Sequence, residues 1–589
     1  MDPVHGSFQQ RSQHRGGGVH RDLDGQRRHV GPGGRLRRRR GAVTTGTPRP
    51  PALDDDRPEF FAVAYVDGAE SVRTDSDGDL WPSAWADDGH LYTACGDGLG
   101  FDLTAPWADI VVNRVDGTPA TGLTGARLAS GRDVAPVWTD PGHFNSKPTG
   151  MVAVDGNGDG RDELYLAVQD LRYGIDASAF NEAPAAGIVR SDDYGRTWHA
   201  PRQPMFTEHM FTTVMFLDFG RSNRLAERFG PPYVYAYGLD HNWRTSYDGC
   251  VPDPQHLYLG RVAPQAVQDR AAWTFFRGVD RGEPVWSADI GDRVPVLADA
   301  SRRHVGLTVA GPSGGTVIAQ GGVVYDEPLN RFLYSSWSEY TLELFEAPLP
   351  WGPWRHALTR DFGPHPWLGP DAAGPRHGGY ATTIPSKFIS IDGRDLWLQS
   401  NWFWRASTAE GRTYRFSLRR LRLDPAADPG DTGDLSQTDT NLAAPDNGAY
   451  PVATAARSGR LDVLNDGRTD VGEDSWNGTP KTTDHWGYHW ARRQPMNHLR
   501  YVTGPYDFNG GWFAEPPRVE VRVAGRWLDA EATIDPPYHP GPEATGQRVY
   551  DLTFAEVHAD GIRLTGTPGG AEHYSAISEL AVYRTDRPR

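Results

Sequence analysis

Lysine is almost missing from this 589-residue chain; only Lys147, Lys387 and Lys481 occur. Arginine carries nearly all the positive charge, a composition expected of a GC-rich genome and one from which no mechanism follows. Cysteine is as scarce: Cys95 and Cys250 stand far apart, offer no metal-ligand spacing and allow at most one disulfide. No apolar run approaches the ~18 residues of a membrane-crossing helix. No apolar segment follows the basic start, so no export signal is visible there. Long amphipathic helical runs are absent too, which argues against a helical or α/β architecture.

What is abundant points the other way. There are 20 Trp, 68 Gly and 47 Pro. Together with many short alternating segments, they predict an all-β chain of two or three domains. The net charge of −16 is uneven. Residues 1–50 carry 11 Arg against three Asp, leaving −24 on the remainder. The stretch "GPGGRLRRRRG" lacks aromatics and periodicity and reads as a disordered tail over 1–55. The acidic body excludes nucleic acid as the main partner.

The segment "DLWPSAWADDGHLYTACGDG" (79–98) alternates on either side of Asp87-Asp88-Gly89, a hairpin turn signal. Folding there sets Asp79 opposite roughly position 98, so Asp79 and Asp97 should meet at the open end. The pattern recurs in "SKPTGMVAVDGNGDGRDELYLAVQD", in "HMFTTVMFLDFG" with "YVYAYGLDHNW", in "GTVIAQGGVVYDEPLNRFLYSSWSE" and in "YATTIPSKFISIDGRDLWLQSNWFW". With the short strands between them, these make five units of about four strands, the arithmetic of a five-bladed β-propeller over 56–424. The strand "EFFAVAYV" precedes the first hairpin and would close the ring. "SDDYGRTW" (191–198) fits the Asp-box pattern, in which Asp193 closes a turn rather than doing chemistry.

Residues 425–439 read as a linker rich in Asp, Pro, Gly and Thr. Beyond it, "VLNDG", "GGWFAEPP", "GIRLTGTPGG" and "AISELAVY" resemble the discoidin-type (coagulation factor five/eight) jelly roll. That likeness implies a β-sandwich over 440–589 that binds glycans at its loop tips.

In a propeller the open ends of all the hairpins share one rim around the channel. Here they carry Asp79 and Asp97, Lys147 and Asp170, and His209 with Asp240 and His241. The fourth and fifth add Trp337 and Glu339, then His377, Tyr380, Asn401 and Trp402. Glycoside hydrolysis needs two carboxyl groups, one to protonate the leaving oxygen and one to activate water or attack carbon. Asp79 and Asp97 fit the base side, and Asp240 or Glu339 the acid. The other rim residues are candidate sugar contacts. Each has a plainer reading as well: acids at strand ends satisfy loop amides, and histidines and tryptophans pack between blades.

The hairpin with "CGDG", "KPTGM", "FLDFG…YVYAYGLDHNW" and "APLPWGPW" resemble a propeller family that includes actinobacterial endo-D-arabinanases. The likeness spans residues 57–425 and implies Asp97 as an active-site acid. The family's Gly-Asp-Thr is Gly96-Asp97-Gly98 in this chain.

"DGNGDGRDE" (155–163) offers Asp155, Asn157, Asp159, the Arg161 carbonyl and Glu163 to a structural calcium ion, or makes an ordinary acidic turn. No organic cofactor is implied. The expectation is a monomer acting on a polysaccharide or oligosaccharide, outside the cell or at its surface, without a membrane span. The rival readings are a lectin that binds without cleaving and a scaffold whose channel mouth is plugged.

Overall fold

The computed structural model describes residues 58–67, 71–173, 180–246, 249–304, 314–338, 341–361, 381–399, 415–427, 432, 438–541 and 547–586. All of them belong to one compact unit, Pro48–Arg589. Among the described residues, helical structure is limited to short 3-10 segments, and no helix is long and apolar enough to cross a membrane.

The first part of the chain is a five-bladed β-propeller. Its innermost segments surround one narrow channel, to which Ser83, Gly150, Met215, Gly322 and Thr383 each contribute one wall. The channel is about 30 Å³, room for a single water. It is this narrow because the inner strands touch: a Cβ on Gly150 would lie 2.6 Å from the Val214 carbonyl oxygen. Apolar residues such as Val152, Leu166, Phe216, Tyr237 and Leu344 fill the spaces between blades. The Phe61–Val66 strand pairs antiparallel with Ser417–Pro425, which also pairs with Asp395–Gln399. The first described strand therefore completes the last blade.

In the first blade, Ser83 pairs with Thr93 and Asp79 with Gly96. The register differs from a plain hairpin because Leu80 and Trp81 adopt positive φ (75° and 56°) ahead of Pro82. Asp97 still ends up beside the partner of Asp79. Cys95 is buried and Cys250 exposed, and both are free thiols.

The C-terminal part is a β-sandwich. Its strand order is Glu473–Asp474, Ala576–Tyr583, Asp484–Thr503, Val549–Gly566, Arg518–Val523, Arg526–Asp529. Pairing between the two longest strands breaks register between His489 and Gln494, and the sheet closes over one core containing Trp486, Tyr488, Trp490, Tyr501 and Ile562. The sandwich is fastened to the propeller. Buried Arg522 donates to the carbonyls of Phe61 and Ala62 and pairs with Glu59 at 2.9 Å. Asn477 donates to Asp361 (3.0 Å), and its carbonyl lies 2.6 Å from His304 Nδ1.

Candidate site at the open end of the first blade

Gly96 sets the geometry of the candidate site. A Cβ there would sit 2.4 Å from Asp79 Oδ1 and 3.1 Å from Lys147 Nζ, so only glycine leaves room for both side chains. Asp97 follows at φ 43° and forms an ion pair with Lys147, which the second blade inserts from its Phe144–Val154 strand. The Lys147 side chain is 3% exposed and that of Asp97 21%, so the pair is closed on the lysine side and open on the acid side. Burial by itself would lower the Lys147 pKa. The charges of Asp97, Asp79 and Asp109 and the hydrogen bond to Asp97 outweigh it and raise the value. The ammonium therefore keeps its proton between two carboxylates.

Blades two and three supply a second polar group of residues. Asp170 Oδ2 accepts from the amides of Trp138 (2.9 Å) and Thr139 (2.7 Å) and from the Thr139 hydroxyl (2.8 Å), so this acid holds a loop. Asp240 accepts the Phe211 amide on one oxygen (2.8 Å) and Arg293 on the other (2.5 Å). His209 and His241 have ring centroids 6.2 Å apart. Burial lowers the pKa of His241, against the pull of Asp240. His209 meets Glu182 at 3.1 Å, and Glu182 pairs with Arg172 at 3.0 Å. Glu182 and Arg172 escaped the sequence reading, because neither lies in a motif or at an informative spacing.

Trp337 is placed differently from an open sugar platform. It is 1% exposed, donates its indole N–H to the Gln320 carbonyl (2.6 Å) and packs against Trp243 with centroids 5.5 Å apart. With Leu80, Leu171, Ala183, Ala319 and Ala381 these rings form an apolar cluster on this end of the channel. Trp107, by contrast, is 52% exposed and precedes Ala108, the strand partner of Gly98. Glu339, His377, Tyr380, Asn401 and Trp402 lie outside the described residues.

Backbone strain gathers at this end. Leu80, Trp81, Asp97, Phe180, Glu208, His209, Phe211, His241 and Ala381 all have positive φ without being glycine. Each costs about 1–3 kcal/mol, and such residues cluster where a surface is held for function.

At the turn ends, on the far side of the second blade, one ligand atom each of Asp155, Asp159 and Glu163 lie within 4.8 Å of one another. Asp155 accepts the amides of Gly158 (2.7 Å) and Gly160 (2.9 Å), and Asn157 donates to Glu163 (2.5 Å). Burial raises the pKa of Glu163. The Arg161 guanidinium lies 5.0 Å above the Tyr194 ring. Asp193, by its side, accepts from the amides of Arg196 and Thr197 and closes its turn.

One end of the sandwich displays aromatic loops. Phe508 is 90% exposed. Near it, Tyr506 and Trp512 stand 6.5 Å apart and Trp476 and Tyr574 5.9 Å. Asp507 accepts from the Tyr574 hydroxyl (3.0 Å).

No protein-family model matches the chain. No curated protein matches it either. Among solved structures, a GH43_1 enzyme from Xanthomonas citri is similar at 16% identity and TM-score 0.33, over 62% of this chain and 92% of its own. A Bacillus subtilis arabinoxylan arabinofuranohydrolase of glycoside hydrolase family 43 is similar at 10% identity and TM-score 0.31, over 87% of this chain and 96% of its own. A family 32 carbohydrate-binding module of C. perfringens, solved with galactose, matches 24% of this chain and 96% of its own at 17% identity and TM-score 0.19.

Proposed function

We propose that this protein acts on a polysaccharide outside the cell, its propeller serving as an endo-acting glycoside hydrolase and its sandwich as the module that holds the glycan. The observation that carries the reading is the Asp97–Lys147 ion pair with Asp79 beside it, across Gly96, in the strained, partly open end of the first blade. A carboxylate paired with a protonated lysine suits the side of the reaction that activates water or attacks the anomeric carbon. The proton donor must be a second carboxyl group. Asp240 has Arg293 on one oxygen and a backbone amide on the other, which leaves poor access for a leaving-group oxygen. Glu339, the other acid that the sequence offers for this role, is the donor to test. The resemblance to endo-D-arabinanases makes arabinan-type glycans the first substrates to try. Phe508 and the neighbouring rings are the sandwich surface suited to stacking on sugars.

The test uses the full chain on a panel of polysaccharides that includes mycobacterial arabinogalactan, with Asp97→Asn and Glu339→Gln as controls. Oligosaccharides released by the wild type and by neither variant support the hydrolase. A lectin is the second reading, favoured by the tied carboxylates of Asp170 and Asp240 and by the Trp243–Trp337 cluster on the channel end. Binding to a polysaccharide without release from any of them selects it.

A further inference from the structure

We propose that the opposite end of the propeller channel holds a second binding site, for a small acidic saccharide. The inner segment of the first blade runs from Asp79 past Ser83, in the channel wall, to Trp85. Beside Trp85, beyond the channel wall, lies a separate cavity of about 450 Å³. That size falls within the ~300–1,000 Å³ typical of small-molecule pockets. Three further blades complete its lining with Arg221, Arg224, Leu225, Tyr325 and Ile389.

Its chemistry is specific in two respects. The first is charge. In a protein of net charge −16, this lining presents Arg221 and Arg224, with Lys387 behind it among the charges of Asp116, Asp88 and Arg221. The lining acid Glu327 is paired with Arg228 at 3.0 Å and so does little to offset them. Arg221 is anchored on the Asp87 carbonyl, and Lys387 on that of Gly89 at 2.8 Å. Arg224, exposed at the rim, bonds the Arg221 carbonyl through its Nε at 3.2 Å, its one hydrogen bond among the described residues. Its terminal nitrogens have the fork geometry that binds a carboxylate at two points. The second respect is shape. The half-exposed Trp85 ring, Leu225 and Ile389 give an apolar wall on which a sugar face can stack, and Ile391, 100% exposed, stands at the opening.

The wall is also strained. Ser222 and Asn223, beside Arg221, adopt φ of 58° and 56°, and the Asn223 side chain donates to the Tyr233 carbonyl at 3.3 Å. A ring next to a guanidinium, in a cavity of this volume, matches one or two sugar units bearing a carboxylate. The site lies at the other end of the channel from Asp79 and Asp97 and does not rest on their being catalytic.

Titration calorimetry on the full chain tests this, with D-glucuronate as the probe, D-glucose as its neutral counterpart and inorganic phosphate as an anion without a sugar. Glucuronate should bind, and bind at least tenfold more weakly to Arg224→Ala and to Ile391→Glu, two exposed changes that leave the fold intact. Asp97→Asn should bind it as well as wild type does, and Arg224→Ala should keep any polysaccharide-degrading activity. Glucose binding equal to glucuronate overturns the requirement for the acid. Phosphate binding as tight as glucuronate leaves only a general anion site and overturns the saccharide. Affinity unchanged in both rim variants overturns the location.

Discussion

Lys147 of the second blade forms an ion pair with Asp97 of the first, and the Asp79 carboxylate, packed with it around Gly96, adds its charge to hold the same ammonium group protonated. This joins two blades through a buried charge that neither could carry alone. Lys147→Met removes the cation and leaves the Asp97 and Asp79 carboxylates without it. Breaking a buried pair in this way costs about 3–5 kcal/mol, and Asp97→Asn added to it should recover part of the loss. Chemical denaturation of the two single variants and the double variant measures both effects. Equal stability of Lys147→Met and wild type would mean that the pair does not hold the blades.

Arg522 reaches out of the sandwich to the first strand of the propeller. Because Phe61–Val66 is the strand that closes the ring, its carbonyls at Phe61 and Ala62 would otherwise form a bare edge. Arg522→Ala strands those carbonyls and Glu59. The thermal midpoint should fall, and amide exchange should rise in 61–66 and 417–425 while 91–100 stays protected. Exchange confined to the sandwich would show that the ring closes without this contact.

Asp326 sits fully buried at the turn of the fourth blade, and burial raises its pKa to about 7. An unfolded aspartate titrates near 3.9. The folded protein thus binds the proton more tightly, and the stability this confers is full below pH ~4 and lost as pH rises through about 7. Asp326→Asn keeps the acceptor for the Leu329 amide but cannot ionise. Melting curves at pH 4.5 and pH 8 should show the variant gaining on wild type at the higher pH only. A constant difference across that range would contradict the buried titration.

Calcium should bind the 155–163 turn, where three carboxylates already converge. Adding calcium to EDTA-treated protein should raise the midpoint by several degrees. Asp159→Ala, at an exposed position, should abolish the rise. No shift in wild type would mark the segment as an ordinary acidic turn whose carboxylates serve their own amides.

Much of the propeller could be read along the chain, since alternation and the Gly-Asp turns are local properties. The pairing of Asp79 with Gly96, next to Asp97, was legible to within a residue or two for that reason: a turn near Asp88 fixes which residues face each other, to within the shift that Leu80 and Trp81 introduce. Lys147 was legible as a rim residue but not as the partner of Asp97, because that depends on how closely two blades pack at Gly96. Glu182, Arg172 and Trp107 carried no sequence signal, coming from loops and strand ends without a motif. Trp337 shows the reverse difficulty. An indole at a strand end looks the same in sequence whether it faces solvent or, as here, gives its N–H to the Gln320 carbonyl and its face to Trp243.

The relation between the two halves is the clearest division. Composition and local pattern determined an all-β chain of repeated hairpins followed by a different set of strands, with a polar linker expected between them, because turn and strand preferences act over a few residues. Such a linker reads as a tether between separable modules. Only the tertiary structure decided that Arg522 locks the sandwich onto Phe61 and Ala62. That contact joins residues some 460 positions apart, and long-range pairing of this kind is set by the burial of a guanidinium against an open strand edge, which no local pattern encodes.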